Sequence, residues 1–160
     1  MSLTGNWKKA SLAFARLPTE VKQAVVEQTK KNALFLVREI KQGIISQAPG
    51  GIPFKKLKDA TKKRKKSSKA LIDHGDLLRS VNVTYLKGGF IAFVGIKRGV
   101  KHKGGVETYN LALIHENGTT KNGGHIPARP FIRPIWRKHK DAIRGSYRKS
   151  MDEAIKKAVR

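Results

Sequence analysis

Five histidines, His74, His102, His115, His125 and His139, are the side chains of this chain best suited to proton transfer or metal binding. None sits in a His-Glu-x-x-His pattern or a comparable ligand spacing. His115-Glu116 sets a base beside an acid, the minimum for acid–base work. On a strand, however, adjacent side chains point to opposite faces, so the pair would not share a substrate. A histidine hydrogen-bonded within the fold is the simpler expectation. Asp73-His74-Gly75-Asp76 offers two carboxylates and an imidazole, as in a nuclease fragment. With 11 acidic residues in all and no second acidic cluster, a two-metal site lacks its other half. A turn or helix cap is expected there. Gly118-Thr119-Thr120-Lys121-Asn122-Gly123 has phosphate-loop spacing, but Gly124-His125 follows where Lys and Ser or Thr are required. The chain has no cysteine, which excludes disulfides, thiolate metal sites and cysteine nucleophiles. The expectation is a non-enzymatic protein with no catalytic, cofactor or metal site.

Charge is the strongest compositional signal. Lys and Arg number 35 against 11 Asp and Glu, a net charge of +24 on 160 residues. Such an excess points to a polyanion, a crowded assembly, or both. The densest run, residues 54–69, holds nine basic residues opposed by Asp59 alone. Such a run repels itself and reads as a mobile or partly helical loop. Lys62, Lys63, Arg64, Lys65 and Lys66 are the candidates for phosphate contact. No aromatic residue is interleaved to stack bases. Any contact with nucleic acid would therefore be to the backbone, without sequence preference. No segment reaches the ~18 apolar residues of a membrane helix, and the patch Leu12 to Ala15 is too short for a secretory leader.

The elements that would position these residues follow from periodicity. Residues 1–16 read as an N-terminal arm or a short extra helix, anchored by Trp7 and Phe14. Pro18 suits the first turn of a helix. Val21, Ala24, Val25, Ala33, Leu36, Val37, Ile40 and Ile44 then recur at helical spacing to about Gln47. Pro49-Gly50-Gly51 ends that helix. Val81, Val83 and Tyr85 alternate as a strand, Lys87-Gly88-Gly89 reads as a hairpin turn, and Phe90 to Ile96 is apolar enough to be covered on both faces. Tyr109 to His115 reads as a short helix or strand. Ile126 to Pro134, with three prolines, suits an edge strand or an extended segment. Ile135, Ala142, Ile143, Tyr147, Met151, Ala154, Ile155 and Ala158 form a second helical stripe. The expected fold is α+β: a small antiparallel sheet packed against a long N-terminal and a C-terminal helix. Residues 17–160 would form a single domain, with basic loops at about 50–70 and 97–107.

Three segments carry a resemblance. They are Leu71-Ile72-Asp73-His74-Gly75-Asp76-Leu77-Leu78-Arg79-Ser80-Val81, Tyr109 to Gly118, and Ile126-Pro127-Ala128-Arg129-Pro130-Phe131-Ile132. In this order and spacing the chain resembles the tail-completion, neck or virion-morphogenesis proteins of tailed bacteriophages over about residues 19–157. His74 stands where that family usually has Ser or Thr, Asn110 to Ile114 replaces a shorter Tyr-Ala, and residues 97–107 are expanded. These departures leave tail completion and head–tail connector both open.

The resemblance implies a structural protein at the head–tail junction, made in the host cytoplasm and acting in the virion. It implies a ring of subunits, commonly six, and partners among other neck, portal-side connector and tail-tube or terminator proteins. It implies no catalysis. The alternative is a basic module binding nucleic-acid backbone. The motif residues also have physical readings of their own. Gly75 can take positive φ and turn the chain into the sheet. Leu77, Leu78 and Val81 would pack under the hairpin. Gly118 would close the turn after His115. Pro127 and Pro130 would hold an extended segment anchored by Phe131. Arg129 would bridge to an acid such as Glu116 or face a neighbouring subunit.

Overall fold

The computed structural model describes residues 7–101, 105–120 and 125–159. Its elements are α1 (Trp7–Ser46), α2 (Asp59–Lys65), α3 (Asp76–Ser80), β1 (Val81–Leu86), β2 (Ile91–Ile96), α4 (Thr108–Asn117) and α5 (Arg133–Val159). A long N-terminal helix, a C-terminal helix and one two-stranded sheet of β1 and β2 make the α+β class expected. No described helix is long and apolar enough to cross a membrane.

Contacts divide the chain into two compact units. The first holds residues up to Asn32, Tyr85–Ala92 and Asp141 onward. There α1 and α5 meet along a polar seam. Tyr147 donates its hydroxyl to Thr29 Oγ1 at 2.8 Å, Asn32 Nδ2 donates to Ser146 Oγ at 3.0 Å, and Ser150 donates to the Ala24 carbonyl at 3.3 Å. Thr29 is 4% exposed, and satisfied polar groups at that depth fix one register between the helices. The hairpin turn closes on α1 in the same unit: a Cβ at Gly89, whose φ is +98°, would stand 2.9 Å from Val26 Cγ1.

The second unit holds Ala33–Thr84 and Phe93–Lys140. Its core is Ile40, Ile44, Leu71, Leu77, Val81, Ala112, Phe131 and Ile135. Ile40 and Ile44 come from the periodic stripe of α1, one turn apart on the same face. Gln47 ends α1 with φ +62°, and its side-chain amide donates to the carbonyls of Ile44 and Ala70.

Some expectations change and others narrow to one of their alternatives. Helical backbone begins at Trp7 and runs through Pro18, so residues 7–16 continue α1 and Pro18 lies inside the helix rather than in its first turn. Proline there costs one backbone hydrogen bond without ending the helix. Residues 1–6 of the expected arm lie outside the described residues. The basic run, read as mobile or partly helical, is partly helical: it holds α2, none of whose residues is buried. β2 is covered on one face only: Ile91 is 37% and Phe93 60% exposed, while Val94 and Ile96 pack on the core. A sheet of two strands has no third layer to cover its outer face. Tyr109 to His115 is helical, within α4. Ile126 makes a single bridge, to Thr119, and no strand follows. Prolines at 127, 130 and 134 remove the donors a ladder needs. Residues 102–104 of the expected loop 97–107 lie outside the described residues.

Gly75 precedes α3 with φ +78°, and a Cβ there would stand 3.0 Å from Arg79 Nη1. Gly75→Val should therefore cost about 1–3 kcal/mol of stability. Thermal unfolding measures it, and an unchanged melting temperature would show that this turn tolerates a β-branched residue.

Candidate functional site

The segments that carry the sequence motifs meet in the second unit, and α3 packs on α4. Leu77 is 7% exposed, Leu78 packs on the core beside it, and Val81 is 1% exposed. Asp76 opens α3 and pairs with Arg79, which also donates to the His74 carbonyl at 2.8 Å. The Asp73-to-Asp76 stretch is thus a turn and a helix start.

Glu116 is the centre of the arrangement. Its carboxylate accepts the N–H groups of Phe131 at 2.8 Å, Ile132 at 3.1 Å and Arg133 at 2.9 Å. These are donors at the start of α5, where no helical carbonyl can reach them. The usual N-cap residues are absent from Phe131-Ile132-Arg133, so α4 supplies the cap from 15 residues away. Negative charge also suits the positive end of the helix dipole. Pro134 follows, where its missing N–H costs nothing.

Arg129 does not bridge to Glu116, as had been one expectation. It is 5% exposed and donates Nε to the Lys55 carbonyl at 2.8 Å and Nη2 to the Lys56 carbonyl at 3.1 Å. Its own N–H donates to the His115 carbonyl at 2.7 Å. Arg129 therefore ties the start of the basic segment to the end of α4. Glu116 was already committed to α5, which left the guanidinium to find backbone carbonyls. Gly118 caps α4 with φ +75°, and a Cβ there would stand 2.9 Å from Ala128 N. Phe131 is fully buried. Pro130 and Pro127 lie in the stretch between Ile126 and Phe131, outside any helix or strand.

His115 and Glu116 lie on a helix, so the strand argument separating them does not apply. They still serve different places: Glu116 caps α5, while His115 lines a pocket with its Nδ1 buried and unpartnered. Burial, then the charges of Arg129 and Lys65, push its pKa down from 6.5 to about 4. The expectation of a histidine hydrogen-bonded through its ring within the fold fails at Nδ1. His139 packs edge-on against Phe35 with ring centroids 4.9 Å apart, and His125 is exposed. His102 lies outside the described residues, as do residues 121–124 of the phosphate-loop-like stretch. Among the described residues, no cluster of three or more His, Asp or Glu could hold a metal ion.

The five candidate phosphate contacts divide. Lys63, Arg64 and Lys66 are exposed. Lys62 pairs with Asp59 at 2.8 Å, which holds the Asp59 carboxyl below its ordinary range. Lys65 is half-buried toward the pocket, donates to the Lys69 carbonyl at 3.1 Å, and has its pKa lowered chiefly by burial.

Sequence reasoning missed the role of Glu116. Its signal was the lack of any capping side chain before Arg133-Pro134, which left donors needing an acid. Compared with protein-family models, curated proteins and solved structures, the chain matches none.

Proposed function

We propose that this chain is a non-enzymatic structural protein of the head–tail junction of a tailed bacteriophage, acting as a tail-completion, neck or connector subunit and assembling into a ring, commonly of six. The observation that carries the reading is the mutual use of the motif residues. Glu116 caps α5, Gly118 closes on Ala128, Phe131 fills the core and Arg129 ties down the basic segment. These residues hold one another in a scaffold, which suits the non-catalytic structural protein that the resemblance implies. The outer face of β2, with Ile91 and Phe93 exposed, leaves apolar surface for a neighbouring subunit to cover. Host cytoplasm before assembly and the virion after it are the places of action. Antibody labelling of purified particles tests this reading. Label at the junction is the expected result, and particles lacking the chain would refute it.

The second reading, a backbone-binding module, draws on the exposed cations of α2. The chain is expected to bind duplex DNA weakly and without sequence preference. Log affinity should fall against log salt with a slope of about −0.9 per phosphate contacted. Replacing Lys62, Lys63, Arg64, Lys65 and Lys66 by Gln should flatten that slope without unfolding the protein, since α2 buries no residue. Tight binding to one sequence at high salt would favour the module over the neck protein.

A further inference from the structure

The second unit contains a pocket of about 730 Å³ with an apolar floor that includes Leu71, Leu77 and Leu111. Six Lys and Arg side chains line it against two acids, Asp73 and Asp76. Two features inside it are unfinished. Arg129 is 5% exposed, and among the described residues no carboxylate pairs with it. A buried guanidinium held only by neutral carbonyls still lacks a counter-ion. His115 Nδ1 is buried with no hydrogen-bond partner, which native interiors seldom tolerate. The charge of Arg129 also opposes protonation of His115. One carboxylate would answer both.

We propose that this pocket receives an acidic, apolar segment of a partner protein, with one Asp or Glu carboxylate set against Arg129, Lys65 and His115 and large apolar neighbours on the leucine floor. Neutral His115 can donate from Nδ1 in the appropriate tautomer. The size suits a few residues of peptide, within the roughly 300–1,000 Å³ of ordinary ligand sites. Lys55, Lys56, Leu57 and Lys58 line one wall, in a segment outside any helix or strand. A phosphodiester backbone matches the rim but gains nothing from the floor. The proposal does not depend on the head–tail reading.

Calorimetric titration with the peptide acetyl-Leu-Glu-Phe-Leu-amide and its Gln counterpart tests it. The Glu peptide should bind about tenfold more tightly, as a hydrogen bond to a charged group warrants. Lys65→Gln and His115→Phe should each shrink that gap several-fold while leaving the Gln peptide unchanged. In the unmodified protein, the Glu peptide should move the ¹⁵N resonances of the His115 ring, a readout that needs no variant to fold. Equal affinity for the two peptides, or binding of neither, overturns the proposal. So does duplex DNA moving the His115 resonances when neither peptide does, which would assign the pocket to phosphate.

Discussion

Glu116→Ala is expected to lower stability by on the order of 3 kcal/mol, through three backbone donors left without an acceptor. Phe131, Ile132 and Arg133 all present N–H groups to this carboxylate, whose side chain is 11% exposed. Water cannot replace it fully at that depth. Arg133 Nε, 3.5 Å from Glu116 Oε1, loses its partner as well. Glu116→Gln keeps one oxygen to accept and should cost less than half as much. Denaturant unfolding of the two variants against the parent checks the order. Equal, small losses would mean that the start of α5 is held by its packing and not by this cap.

The second large effect is a dependence on pH. The folded chain holds His115 at a pKa of about 4, whereas the unfolded chain protonates it near 6.5. Between those values a proton binds the unfolded chain and not the folded one. Stability from this group is therefore complete above about pH 6.5 and falls as pH drops toward 4. At about 1.36 kcal/mol per pH unit of displacement, the loss approaches 3 kcal/mol. Arg129 and Lys65 face the imidazole and oppose its charge, while Asp73 acts favourably on Lys65. Glu116 is adjacent in sequence but engaged with α5. Other carboxylates titrate in the same range, so the informative quantity is the difference between the parent and His115→Gln, which carries no charge at either pH. The parent should lose more stability than this variant between pH 7 and 4.5. Parallel curves would place His115 in contact with water in the folded state.

What the sequence made legible was the part written in local periodicity. The stripe through Ile40 and Ile44 announces α1, and Pro49-Gly50-Gly51 announces its end, because each signal lies within a turn or two of its effect. Gly75 was legible because positive φ is a property of one residue. α4 was ambiguous, since a short apolar run such as Leu111 to Ile114 fits a helix or a buried strand equally well. The exposure of β2 was not legible: Ile91 and Phe93 read as interior until the number of strands is known. The pairing of Glu116 with α5 was hidden for a similar reason. Its donors lie beyond a turn and a proline-rich segment, and Arg129 offered an equally good partner by charge. The pocket at His115 depended on that choice. Only when Arg129 is drawn to the carbonyls of Lys55 and Lys56 does an uncompensated cation stand beside the imidazole.

The central proposal is that the chain completes the junction between head and tail of a tailed bacteriophage. If the gene belongs to a tailed phage as proposed, electron microscopy of lysates of that phage with a stop codon early in the gene tests it most directly. DNA-filled heads and separate, finished tails should accumulate, and supplying the protein in trans should restore joined particles. A lysate of normal, infectious virions lacking the protein would contradict the account.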